Sequence, residues 1–490
     1  MKKAALGVAL GLLLLIATLF YRASRFTSRQ VSVPPGVPLA IDTAGAAARL
    51  AGALQFRTIS RDESASPDGQ ALIEFARFQE YLRTRFPKLH GRLKREVTNG
   101  YSLLYTWRGS DTSIAPILLM AHQDVVPVEA ESSWTYPPFA GRIADGYVWG
   151  RGALDDKGNL MAILEAVERL VAEGATPHTT IYLAFGHDEE VGGRNGAART
   201  AALLASRGVR LQYVVDEGGA ITTGLVPGIS GPVALVGIAE KGYVSLELTV
   251  QAEGGHSSMP PPQTAIGILG EAVAELEEQQ MPRRISGATA AMLDYIGPEM
   301  SFSRRLALGN RWLLSGVIER EFGATPSGNA MLRTTTAPTI IAAGVKDNVL
   351  PSMARAVVNF RILPGDSVAG VVAHAKEAID DPRVTIRVIP ESANEPSPVS
   401  PDTSMSFRLM ENTLRRIAPG VIVTPWLVVG GTDARHFDKL TSNVYRTGAL
   451  SLTRADLARI HGTNERVAIT DYARNIAFYV TLLRNSAFPL

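Results

Sequence analysis

The 490-residue sequence contains no cysteine. Disulfides and thiolate metal sites are thereby excluded, so any metal must be held by histidine and carboxylate. Surplus charge is nearly absent as well. Against 49 basic residues stand 47 acidic ones, a net charge of +2, which gives no electrostatic basis for a nucleic-acid partner. No internal repeat or low-complexity tract occurs. No Gly-x-Gly-x-x-Gly turn follows the first strand, as a dinucleotide-binding sheet would require. What is present, 46% hydrophobic and 20% charged residues, is the composition of a folded globular chain. The length exceeds one ordinary core, so two domains are expected.

One long apolar run stands at the start. Lys2 and Lys3 precede residues 4–21, which carry no charge, and Arg22, Arg25 and Arg29 follow. The run is long enough to span a bilayer, and its basic start also fits the core of a signal peptide. No small-x-small cleavage site follows Leu12–Leu15, so an uncleaved anchor is favoured. Either way the bulk of the chain is expected outside the cytoplasm: periplasmic, extracytoplasmic or lumenal behind an anchor, secreted if the segment is cut. Residues 25–40, with Pro34, Pro35 and Pro38, read as a tether.

Periodicity then alternates between strand and helix. Helices are expected at 46–54 and 71–86, separated by a Ser-, Asp- and Gly-rich turn at 60–69. A strand at 116–120, an amphipathic helix at 159–173, a strand at 180–185, a helix at 196–206 and a strand at 211–215 follow, the pattern of a mostly parallel α/β sheet. After residue 240 it changes. Strands at 243–250, 339–343, 355–362 and 383–389, with helices at 264–278 and 368–379, fit a small α+β sandwich inserted into the larger domain. A helix at 405–417, strands at 421–429 and 443–446 and a helix at 468–483 resume the first pattern.

The chemistry-bearing residues fall at the ends of these strands: His122, Asp124, Asp155, Glu189, Glu190, Asp216 and His461. Each has a structural reading on its own. His122 could be a hydrogen-bonded core histidine, Asp155 a helix cap, Asp216 and Glu217 turn residues, and Glu189-Glu190 a solvated turn. Together they would converge in one crevice, because open α/β sheets gather ligands at the carboxyl ends of their strands. Such a set suits two zinc ions bridged by a carboxylate, with Asp124 orienting His122 through its other ring nitrogen.

The segments AHQDVVP (121–127), GRGALDDK (150–157), GHDEEVG (186–192), VDEG (215–218) and HGTNE (461–465) resemble the co-catalytic zinc peptidase family of aminoacylase, succinyl-diaminopimelate desuccinylase, glutamate carboxypeptidase and carboxypeptidase S. Within it, WTYPPF (134–139) and FGHDEE (185–190) look most like carboxypeptidase S and the N-fatty-acyl-amino-acid hydrolases. The resemblance implies a zinc-peptidase-type catalytic domain in two parts, 41–240 and 391–490. An inserted ferredoxin-like lid or dimerisation domain at 241–390 is implied between them. It implies two Zn(2+) ions, with Asp155 bridging, His122 and Asp216 completing one site and Glu190 and His461 the other. Motif position prefers Asp155 to Asp156 and Asp216 to Glu217, and each choice could shift by one residue. Glu189 is the implied general base, and His256, in GGHSS (254–258), is implied to stabilise the tetrahedral intermediate, in some members across a dimer interface. Asn348 and Arg361 are implied to bind a substrate carboxylate, and Gly430-Gly431-Thr432 to contact the substrate. Segment 270–336 is longer and less regular than a minimal lid requires.

The expected activity is hydrolysis of the amide bond of C-terminal or N-acylated amino acids, with Glu189 moving the proton. A dipeptidase is the alternative enzyme. A metal-dependent binding protein that has lost catalysis is the alternative of another class, and Glu189 would be dispensable to it.

Overall fold

Short apolar runs that end in glycine or acid form the centre of the fold. In the computed structural model, which describes residues 2–60 and 69–488, three of them become the strands Ile117–His122, Ile181–Gly186 and Tyr213–Asp216. The turn expected at 60–69 lies, apart from its two ends, outside the described residues. Ile117–His122 runs in the middle, parallel to both neighbours. All six of its residues are buried, as a parallel strand covered on both faces demands. Because the three strands are parallel, their carboxyl ends open on the same edge of the sheet.

The full sheet has ten strands. Its order is Lys94–Thr98, Ser102–Trp107, Ile181–Gly186, Ile117–His122, Tyr213–Asp216, Val444–Arg446, Val233–Glu240, Ile221–Thr222 and Ser451–Leu452, with Ile422–Val428 paired to Val233–Glu240 off this path. Helix Lys157–Ala172 covers one face with Leu160, Ile163, Leu164, Val167 and Leu170 buried, and the terminal helix Ile469–Ala487 packs on it. The other face carries helix Ala197–Ser206 and the turn Asp433–Phe437, whose Ala434 and Phe437 share a core with Leu118, Met120 and Val214.

A second sheet of four antiparallel strands follows the order Thr335–Ala343, Met353–Ile362, Gly242–Gln251 and Val384–Val388. Helices Ala265–Glu278 and Val368–Ile379 bury Ile268, Leu269, Leu276, Val371 and Ala375 against it, forming a core of its own. Helices Gly287–Ile296, Phe302–Gly309, Arg311–Phe322 and Pro326–Leu332 leave the small sheet, and Ala288, Met292, Leu293, Ile296, Leu308 and Met331 join the main core. The cause is the apolar side of Gly287–Ile296, which lies along strand Ile422–Val428. The length of segment 270–336 is therefore an excursion back to the larger domain.

At the junction, Glu240 is buried and accepts hydrogen bonds from Arg446 Nε at 2.8 Å and from Thr432 N and Oγ1 at 3.1 and 2.9 Å. The next residue, Lys241, donates to the carbonyls of Ala330 and Arg333 at 2.9 and 2.8 Å. Burial pushes its pKa down to about 7. The amino-terminal helix Lys2–Arg25 is exposed apart from half-buried Leu15 and Leu19 and buried Ala23, and is long and apolar enough to cross a membrane by length and composition.

Candidate metal centre

The sheet edge defined above collects five metal-type donors within hydrogen-bonding distance of one another. His122 ends its strand with the ring buried. Asp155 projects from the loop that precedes helix Lys157–Ala172, and its peptide bond to Asp156 is cis. Its Oδ1 lies 3.0 Å from His122 Nε2 and its Oδ2 lies 3.0 Å from His461 Nε2. His461 Nε2 is also 3.1 Å from Glu190 Oε2, and His122 Nε2 is 3.3 Å from Glu217 Oε1. A single carboxylate thus faces two histidines, and the Nε2 of each meets one further acid.

The neighbours of these donors hold them in place. Asp124 is fully buried, its Oδ1 lying 3.3 Å from His122 Nδ1. Its carboxylate also accepts from the amides of Glu189 and Glu190 at 3.2 and 3.1 Å and from Ser60 Oγ at 2.8 Å. One side chain therefore sets the histidine and the two-glutamate turn together. Glu465 does the same for the opposite wall. Buried, it accepts from the amides of Gly152, Leu154 and Asp155 at 3.1, 2.8 and 3.1 Å, and from Arg151 Nη1 at 2.7 Å. Arg151 in turn donates to the carbonyl of His461 at 3.0 Å, a residue with a left-handed backbone (φ 59°).

Electrostatically the cluster is a set of acids crowded out of water. Burial, then the charge of Asp155, raises Glu190 to about 7 and Glu217 to about 8. Burial raises Glu189 well above its usual range too. His461 is raised to about 10 by its hydrogen bonds to Asp155 and Glu190. Burial acts against a charged His122, yet Glu217, Asp124 and Asp155 hold it well above its ordinary value. Glu190 Oε1 is buried without a hydrogen-bond partner among the described residues. Crowded carboxylates with an orphaned oxygen, alternating with imidazoles, suit a divalent cation, which would neutralise the repulsion.

Several residues stand elsewhere than expected. Glu217, not Asp216, meets His122. Asp216 is buried and accepts from the Ala434 amide at 2.8 Å, because the turn Asp433–Phe437 covers its side of the strand. Thr432, expected to contact the substrate, is buried with both its amide and hydroxyl on Glu240. Gly430 and Gly431 stay partly open. A Cβ on Gly431 would lie 2.6 Å from Arg435 Nη1, so glycine admits that guanidinium. His256 and Asn348 share an exposed arm, where His256 pairs with Val349 and Asn348 O accepts from the Ser257 amide. Neither makes a hydrogen bond to the cluster among the described residues. Arg361 lies over the Tyr243 ring at 4.6 Å. Burial lowers its pKa, and the charge of Arg435 adds to that. Glu465 and Arg435 are the site-building residues that sequence reasoning missed, while Glu217 was its second choice beside Asp216. Each lies inside or beside a quoted motif, which was the available signal.

The sequence profile of peptidase family M20/M25/M40 matches residues 118–485. The chain belongs to that family. The M20 chain is 43% identical over 488 residues to a probable carboxypeptidase S-like protein of Dictyostelium discoideum, covering 98% of this chain and 93% of that protein. It is 42% identical over 441 residues to the N-fatty-acyl-amino acid synthase/hydrolase PM20D1 of Xenopus tropicalis, with 89% and 85% covered. Among solved structures, an M20 family metallo-carboxypeptidase of Sulfolobus solfataricus superposes with a TM-score of 0.64 at 18% identity, covering 91% of this chain and 99% of that one. The M20 chain is a metal-dependent hydrolase of peptide or amide bonds.

Proposed function

We propose that the protein hydrolyses the amide bond of N-acyl amino acids or of carboxy-terminal residues, using two zinc ions. One would be held by His122, Asp155 and Glu217, the other by Asp155, Glu190 and His461. When bound, such a pair supplies Lewis-acid polarisation and lowers the pKa of water between the ions. The observation that carries this reading is Asp155, whose two oxygens each face one histidine at 3.0 Å.

Glu189 is the general base. No hydrogen bond among the described residues engages its carboxylate, while the amide of the same residue is fixed on Asp124. It would take the proton of the attacking water and return it to the leaving amine. Glu190, one residue on, is directed instead at His461, so two adjacent acids divide the work. Arg361 and Arg435 would receive the substrate carboxylate. Neither forms an ion pair among the described residues, their charges oppose each other, and a guanidinium fork matches a carboxylate. His256 and Asn348 would complete a second copy's site. In support, they sit on an exposed arm beside the edge strand Thr335–Ala343, where Ile340 and Ile341 are exposed, a surface fitted to a homodimer.

The amino-terminal helix is read as a retained anchor, because Ala23 is buried and Phe26 packs against Gly297 and Gly309, contacts that cleavage in this region would remove. With the catalytic domain exported, long acyl chains are the favoured substrates, in keeping with the hydrolase relatives. The test is turnover of zinc-loaded, detergent-purified full chain on a panel of N-acyl amino acids and dipeptides. Release of amino acid from the acyl series, lost in Glu189→Gln, is expected. Cleavage of dipeptides alone would favour the dipeptidase, and inactivity on every member would overturn the catalytic reading.

A further inference from the structure

We propose that the helical hairpin formed by Phe302–Gly309 and Arg311–Phe322 lies in the headgroup and upper acyl layer of the bilayer that the amino-terminal helix crosses. The inference rests on the anchor reading above. Three observations carry it beyond that reading.

The first is the place of contact. Leu15, Leu19 and Ala23, spaced four apart on the amino-terminal helix, are the residues that turn away from solvent, and the helix packs on Phe302–Gly309. Buried Asn310, at the corner of the hairpin, donates to the carbonyl of Leu19 at 2.9 Å. Phe20 and Phe302 stack at 5.6 Å between ring centroids. Leu19 lies three residues inside the apolar run from Arg22, about 4–5 Å along a helix axis. If the helix spans the bilayer, the corner of the hairpin sits below the level of Arg22, within the lipid.

The second is the composition of the hairpin's outer face. Helix Arg311–Phe322 has no fully buried residue. Ile318 and Phe322 pack partly against the main core, which already accounts for one apolar stripe. Yet Trp312 is 56% exposed, Leu313 47% and Val317 50%, on the side away from that core. The outward apolar residues fall in the first two turns, while Arg320 and Glu321 in the last turn are exposed and pair with each other; exposed apolar side chains with a Trp among them suit the membrane interface.

The third is charge. Arg22 and Arg25 end the amino-terminal helix, and Arg304 and Arg305 follow Phe302 in the hairpin. Arg22 and Arg25 are exposed at this level, where long basic side chains reach the headgroups while their stems remain in the apolar layer. A bilayer is therefore the occupant that fits the exposed Trp312, Leu313 and Val317.

Because the chain has no cysteine, single nitroxide labels need no background substitution. Val317→Cys, Ile16→Cys and Lys439→Cys would each be labelled in the full chain, in phosphatidylcholine vesicles with a minor share of phosphatidylglycerol. Accessibility to oxygen and to a water-soluble nickel chelate is then read by power saturation. The inference expects the label at 317 to match the one at 16, oxygen-accessible and shielded from nickel, while the label at 439 shows the reverse. Trp312→Phe should also remove most of the quenching of tryptophan fluorescence by brominated lipid. A nickel-accessible label at 317 beside a shielded label at 16 overturns the hairpin placement and leaves the anchor standing. Nickel access at both positions overturns the anchor and the placement together. A label at 317 shielded from both reagents, with spin–spin broadening, assigns the face to a second copy and likewise refutes the placement.

Discussion

Replacing Glu465 by glutamine tests whether the wall of the metal cluster is set by a residue that never touches the metal. The change preserves size and removes one charge. In the wild type, Oε1 serves three amides and Oε2 serves Arg151. A glutamine has one acceptor. If its oxygen stays on the amides of Gly152, Leu154 and Asp155, its NH2 group faces the Arg151 guanidinium, donor against donor. If it turns around, three buried amides lose their acceptor. Either outcome breaks a buried charge pair, a loss of about 3–5 kcal/mol. With an unfolding entropy near 2.1 cal/mol/K per residue, a chain of this size melting as one unit would lose roughly 3–5 °C. The functional loss is more specific. Asp155 N is released from Glu465, and Arg151, which also holds the His461 carbonyl, loses its anchor, so Asp155 and His461 both drift. Supporting-residue losses of this kind cost about 10–100-fold in metal affinity. The assay is competitive zinc titration against a chromophoric chelator at a temperature where circular dichroism shows the variant folded, with a thermal melt alongside. Wild-type affinity together with an unchanged melting temperature would refute the reasoning.

Three further outcomes are expected. Glu189→Gln should bind zinc at wild-type stoichiometry while kcat falls about 10²–10⁴-fold; loss of metal on equilibrium dialysis would show that Glu189 is a ligand instead. Glu217→Gln should lose one zinc equivalent, whereas Asp216→Ala should keep both and lose about 1–3 kcal/mol in urea unfolding, because the Ala434 amide is left unpaired; the reverse pattern would restore Asp216 as the ligand. Metal binding should release protons and weaken as pH falls. Glu217 and Glu190 carry raised pKa values of about 8 and 7, so below those values a cation must displace a proton from each. The raised pKa of His461, about 10, acts in the same direction to higher pH. Proton release by calorimetry in buffers of different ionisation enthalpy measures this, and pH-independent affinity between 6 and 8 would contradict it.

The parallel strands and the helix at 159–173 were legible because burial on both faces and amphipathic spacing leave direct marks in sequence. Val233–Glu240 was not read, although all eight of its residues are buried, because it runs almost without a break into the strand beginning at Gly242. The choice between Asp216 and Glu217 was beyond sequence for a sharper reason. Alternation along paired parallel strands puts Asp216 on the same sheet face as His122, which argues for Asp216. The face is already occupied: the Asp433–Phe437 turn, more than two hundred residues later, lays the Ala434 amide on it. Glu217, past the strand end and free of alternation, reaches the histidine. The partner of Thr432 was equally invisible: a buried Glu240 with a buried Arg446 beside it takes its hydroxyl and its amide. Long-range capture of a polar group by a distant backbone leaves no local pattern to read.

The position of His461 has a consequence for how the protein is born. His122, Asp155, Glu190 and Glu217 are all made before the ribosome reaches residue 218, but their histidine partner follows some 240 residues later, after the whole inserted sheet. Helix Ile469–Ala487, which packs on the helix behind Asp155, is later still. Through most of its synthesis the chain therefore carries a half-site of acids around one imidazole. The second imidazole and the helix that buttresses the first half arrive almost at the same time, in the last thirty residues. Completion of the histidine–carboxylate cluster and of the main core therefore both wait for the same carboxy-terminal segment.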